Sequence, residues 1–143
     1  LKLLPENFKD PIIIINGDVL TKINFQDVLK YHSINSADIT IGVREHKLES
    51  PFGVIEVDGI SLKSILEKPS IKQLVNAGIY VINPSIVKCI KSDEYLDMPD
   101  LILSCKKKSK NIIVYPIHEF WLDVGKPEAL EQAHFEWTNN IFY

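Results

Sequence analysis

The chain has 143 residues, 45% of them apolar, a formal charge of −3 and an isoelectric point near 5.8. That length suffices for one domain with a real core. The acidic balance, with Arg44 the single arginine, excludes the basic footprint of a nucleic-acid or acidic-membrane binder.

The first predicted element is "PIIIINGDVL", residues 11–20. Four isoleucines in a row disfavour helix and fit the middle of a fully covered sheet, and the run stops on Asn16, Gly17 and Asp18. "NFQDVLKYH" follows, with Phe25, Val28, Leu29 and His32 on one helical face, Asn24 as N-cap and Asp27 at the third helical position. "ADITIGV" (37–43) alternates as a strand. "FGVIEV" (52–57) and "SLKSILE" (61–67) flank Asp58-Gly59, the signature of a hairpin. "AGIYVIN" (77–83) reads as a strand stopped by Pro84. Asp97 caps a helix that carries Met98, Leu101, Ile102 and Cys105 on one face, and Lys106 to Lys108 sit at its C-terminal end, where the dipole favours cations. "NIIVYPI" (111–117) is a further strand, and "EFWLDVG" (119–125) a second apolar run ending in aspartate. Pro127 opens a last helix with Leu130, Ala133, His134 and Trp137 on one face.

Strands and helices alternate around an inserted hairpin, which predicts a three-layer, Rossmann-like α/β domain over residues 1–143 with a mixed, largely parallel sheet. No apolar run spans a membrane. The opening "LKLLPENFKD" lacks the apolar core and cleavage site of a signal peptide. Cys89 and Cys105 have no metal or redox spacing and read as reduced, buried thiols of a cytoplasmic protein.

Three groups of residues carry chemistry. Asp18 and Asp123 each end a strand-like run, and carboxylates at neighbouring strand ends can share a Mg²⁺, a hard ion that takes oxygen ligands. The same two aspartates also suit plain polar turns. In "EKP" (67–69), Pro69 biases its predecessor toward extended geometry and so fixes the directions of Glu67 and Lys68, which suit a hydroxyl and a phosphate, or a solvated ion pair. In "NAGIY" (76–80) a glycine beside an amide marks either a bulge or close approach of a ligand to the backbone.

Taken together, "NGD", "PFGVIEV", "EKP", "NAGIYVINP" and "FWLDVGKPEAL" stand in the order of the sugar-phosphate nucleotidyltransferases, which the chain resembles over residues 1–138. The guanylyltransferase-like bacterial members are the most similar in pattern. The resemblance implies that Asp18 and Asp123 bind Mg²⁺, that Glu67 and Lys68 hold the sugar hydroxyls and the sugar phosphate, and that Gly53, Asn76 and Gly78 meet the sugar. It implies a nucleoside triphosphate, GTP favoured, and a sugar 1-phosphate as substrates, and it is compatible with a homo-oligomer. Asp18, Lys68 and Asp123 would serve an in-line attack of the sugar phosphate on the α-phosphorus, with pyrophosphate leaving.

The sequence departs from that family in one respect. The G-x-G-T-R-L loop that opens family members is absent, and no two of the six glycines lie within two positions of each other. The chain therefore looks like the C-terminal, sugar-phosphate-binding portion of such an enzyme, expected to be inactive alone, with Ile12 to Ile15 at risk of becoming a sheet edge. The rival readings are a non-catalytic, regulatory relative and a metal-dependent glycosyltransferase. The latter fits less well because Asn16, not aspartate, stands two residues before Asp18.

Overall fold

Alternate residues of the isoleucine run face different helices. In β1 (Ile12–Ile15), Ile13 packs with Ile79 and Val81 of β6 (Ser70–Ile82) against Phe25, Val28 and Leu29 of α1 (Phe25–Ile34). Ile12 and Ile14 point the other way, with Ile39 of β3 (Ile39–Glu49) and Ile82, onto Ile86 of α2 (Pro84–Val87) and Leu101 and Cys105 of α3 (Met98–Lys107). The strand period of two thus splits one apolar run between two cores, and the result is the expected three layers of helix, sheet and helix. The structure, a computed structural model, describes residues 8–88, 90, 96–125 and 127–138, the backbone alone at 127, 128, 132 and 137. Cys89 and the Trp137 side chain, both named above, lie outside what is described, whereas Cys105 is a buried free thiol.

The central sheet has the order β1-β6-β3-β7, with β7 spanning Ile112–Pro116. β1 pairs antiparallel with β6, from Ile12↔Ile82 to Ile15↔Ile79, and β3 pairs parallel with β7, from Ile39↔Ile112 to Val43↔Pro116. β3 and β6 run in opposite directions: the Asn83 N–H donates to the Asp38 carbonyl, while Gly42 lies against Ile79. The sheet is mixed, as expected, but it is not largely parallel. Parallel neighbours need a crossover, usually a helix, and residues 50–69 supply only a hairpin, so β3 and β6 must oppose each other. The isoleucine run has the composition of a central strand, but it is an edge strand among the described ones, the risk that the absent loop implied, and Ile15 is exposed.

The predicted caps form. Asn24 Oδ1 accepts from the Gln26 N–H, Asp97 Oδ1 accepts from the Asp100 N–H, and Pro127 opens α4 (Pro127–Thr138). A buried polar bolt ties α1 to the sheet. Asn83 Nδ2 donates to the Ala37 carbonyl, which leaves Asn83 Oδ1 to accept from His32 Nε2; His32 Nδ1 then accepts the Thr40 hydroxyl at 2.7 Å. Both His32 and Thr40 are 1% exposed, so each needs its partner.

Two short strands, β2 (Val19–Thr21) and β8 (Trp121–Asp123), form a separate antiparallel ribbon. The chain divides into two compact units, residues 1–43 with 76–143, and residues 44–75. β3 runs past the expected end at Val43, so Arg44 lies inside it. In the second unit β4 (Val54–Asp58) and β5 (Ser61–Leu66) make the predicted hairpin, with Gly59 at φ 61 in its turn. A bulge opposite Glu56 puts Lys63 and Ser64 on the Glu56 side, where both contact its carboxylate. The opposite side carries the paired residues Ile55 with Ile65 and Val57 with Leu62, each between 58% and 64% exposed.

Candidate functional site

Asp18 does not end the isoleucine strand. It closes a turn, in which the Val19 N–H donates to the Asn16 carbonyl at 3.2 Å, and it leads into β2. Pairing of β2 with β8 sets Val19 opposite Asp123, and the Val124 N–H donates to the Asp18 carbonyl at 2.7 Å. Two residues more than 100 positions apart are thereby held side by side. Gly125 fills the space before them. A Cβ built on Gly125 would stand 3.0 Å from Asp123 Oδ1 and 3.4 Å from Asp18 Oδ2. The two oxygens are therefore no more than 6.4 Å apart, the sum of those distances. The Gly125 N–H also donates to Asp123 Oδ1 at 2.9 Å and orients it.

Both aspartates are exposed at their strand ends. Among the described residues no group of three or more His, Cys, Asp or Glu is placed to hold a metal. Two exposed carboxylates around a gap that a single Cβ would close suit Mg²⁺, which is commonly held by one or two carboxylates and fills its remaining positions with water and substrate phosphate.

β6 reaches this region through its middle. Gly78 has φ 69, the left-handed region that glycine enters without penalty. Its carbonyl accepts from the Asn16 N–H at 2.8 Å, and a Cβ there would meet Asn16 Nδ2 at 2.8 Å. Trp121 Nε1 donates to the Ala77 carbonyl at 2.8 Å, tying the strand of Asp123 to β6. The Asn76 side chain, expected to meet the sugar, is bound within its own strand: Oδ1 accepts from the Gly78 N–H and Nδ2 donates to the Tyr80 hydroxyl. Gly125, Trp121 and Tyr80 were not singled out by sequence reasoning, and Asn16 was named only as a turn residue and for not being an aspartate. The signals were the buried-type indole N–H, which needs an acceptor, and a glycine two residues after an apolar-to-aspartate run.

The remaining predicted residues form a group in the second unit. A Cβ on Gly53 would lie 3.0 Å from Glu67 Oε2, so the absence of a side chain at Gly53 makes room for that carboxylate. Lys68 is not extended, as Pro69 led one to expect, but left-handed at φ 44. The proline restriction bears chiefly on the right-handed helical region, and the turn out of β5 takes the left-handed alternative. Ser36 and Ser109 also have positive φ, but each follows a helix C-cap, where that conformation ends helices. Lys68 has no such explanation. Non-glycine residues held there cost about 1–3 kcal/mol and cluster at ligand clamps.

A family model described as nucleotidyl transferase matches residues 1–140. Similar proteins include a glucose-1-phosphate adenylyltransferase of Clostridium botulinum, 32% identical over 137 residues that cover 87% of this chain and 36% of that protein. A mannose-1-phosphate guanyltransferase of Pichia angusta is 30% identical over 128 residues, 82% of this chain and 34% of its own length. The chain thus spans about a third of the length of these relatives. Among solved structures, HddC from Yersinia pseudotuberculosis superposes with a TM-score of 0.61 at 20% identity, over 90% of this chain and 56% of that one.

Proposed function

The chain belongs to the nucleotidyl transferase family, and on that premise we propose that its protein is a Mg²⁺-dependent sugar-1-phosphate nucleotidyltransferase. It joins a nucleoside triphosphate to a sugar 1-phosphate and releases pyrophosphate, in the cytoplasm. The observation that carries this reading is the pair Asp18 and Asp123, whose carboxylate oxygens flank the gap left by Gly125. Those two residues would hold the metal, which when bound neutralises phosphate charge. Lys68, in its left-handed turn after Glu67, supplies a cation for the sugar phosphate, and Glu67, beside Gly53, an acceptor for sugar hydroxyls. Asn76 and Gly78 present the β6 backbone to the sugar. No covalent intermediate is needed; positioning and charge stabilisation suffice. GTP is the triphosphate we assign, by likeness to the mannose-1-phosphate guanyltransferase. ATP is the first competitor, by likeness to the adenylyltransferase.

The test is pyrophosphate release by the full-length protein from GTP, ATP and dTTP paired with mannose and glucose 1-phosphates. Asp123→Asn should lower turnover about a hundredfold and raise the Mg²⁺ concentration needed for half-maximal turnover. Binding of sugar 1-phosphate without pyrophosphate release would favour the non-catalytic relative instead. The 143-residue chain alone should release none, because no glycine-rich loop within it can cradle a triphosphate.

A further inference from the structure

Asn76 and Tyr80 lie four residues apart on β6, about 13 Å along a regular strand. Their side chains nevertheless meet at 2.7 Å, Asn76 Nδ2 donating to the Tyr80 hydroxyl oxygen. The length of the phenol and the left-handed turn at Gly78, φ 69, together close that distance. The other end of the same carboxamide accepts from the Gly78 N–H at 3.0 Å. The Gly78 N–H, which can only donate, demands the amide oxygen, and that leaves the nitrogen to the Tyr80 hydroxyl, which holds it in place. Rotating the amide by a half-turn would break the Gly78 bond and set a donor against a donor there, while the Tyr80 hydroxyl could still donate to the amide oxygen.

Tyr80 itself is fixed. It is 3% exposed, and its backbone pairs with Ile14. The Gly78 turn in turn seats Asn16, whose backbone N–H bonds to the Gly78 carbonyl and whose side chain fills the space a Cβ would take. Asn16 opens the turn that carries Asp18.

We propose that Tyr80 is a positioning residue of the sugar-phosphate site: its hydroxyl fixes the Asn76 carboxamide, and the carboxamide fixes the Gly78 turn on which the Asp18 loop rests. This deepens the sugar-1-phosphate reading above and rests on it. Asn76 keeps one amide hydrogen and one oxygen lone pair in reserve, and the bonds to Gly78 and Tyr80 together hold them where a sugar hydroxyl would meet them.

The test is Tyr80→Phe in the full-length protein, which removes one oxygen and keeps the ring. The KM for sugar 1-phosphate should rise about three- to tenfold, the scale of one neutral hydrogen bond, with the KM for nucleotide unchanged. Exchange of the Gly78 amide hydrogen should quicken by a similar factor. Asn76→Asp keeps an acceptor for the Gly78 N–H and can accept the Tyr80 hydroxyl, so Gly78 exchange should stay as in the wild type; Asn76→Leu should lose that protection. An active protein in which Tyr80→Phe changes neither the sugar-phosphate KM nor Gly78 exchange overturns the role of Tyr80 alone. A wild-type protein that turns over no sugar 1-phosphate defeats the functional reading, and the positioning role falls with it.

Discussion

Replacing Gly78 by alanine tests the geometry of the site through stability. Two costs add. At φ 69 an L-residue brings its Cβ toward the following carbonyl, about 1–2 kcal/mol. The new methyl would also stand 2.8, 2.9 and 3.1 Å from Nδ2, Cγ and Cβ of Asn16, well inside ordinary contact. Asn16 cannot simply retreat, because its N–H is bonded to the Gly78 carbonyl. Overpacking of this kind costs about 1–3 kcal/mol. Stiffening of the unfolded chain returns about 0.4–1 kcal/mol. The net expectation is a loss of about 1–5 kcal/mol, read from urea unfolding followed by tryptophan fluorescence. Asn16→Gly removes all three opposing atoms, so in that background Gly78→Ala should cost only the backbone share, about 1 kcal/mol. A Gly78→Ala cost below about 0.5 kcal/mol, or equal costs in both backgrounds, would refute the contact between β6 and the Asp18 loop.

Three further outcomes follow from particular residues. Lys68→Gly relieves a left-handed lysine, so stability should hold or rise by up to about 1 kcal/mol while the KM for sugar 1-phosphate rises in steady-state assays. Thr40→Val leaves buried His32 Nδ1 without its hydroxyl and should cost about 1–3 kcal/mol in urea unfolding, with no change in the Mg²⁺ dependence of turnover. The Tyr115 phenol is pushed above its ordinary 10.0 by burial first and then by Glu119, Asp27 and Tyr31. A raised folded pKa gives stability that is whole below the unfolded value and is lost as pH rises through the folded one. Melting temperatures across pH 10.0 should therefore fall less for Tyr115→Phe than for the wild type.

What the chain determined by itself is what near neighbours decide. Asn24, Asp97 and Pro127 mark helix starts because each acts within three residues of itself. Asp58-Gly59 marks the hairpin because a turn with φ 61 favours glycine, and the ordered motifs from NGD to WLDVG carry the family. The tertiary structure alone decided the rest. β2 and β8 have three residues each, too short for any periodicity, and exist because they pair across a separation of about 100 positions. That pairing, not the end of the isoleucine strand, places Asp18 beside Asp123. The exposed extensions of β3 and β6 carry no clear alternation, and the bulge opposite Glu56 breaks the one in β5. Asn76 reads as a free amide until Gly78 and Tyr80 claim both its ends. Hydrogen bonds across a sheet depend on register, and register is set by the packing of whole faces, which no local run of residues encodes.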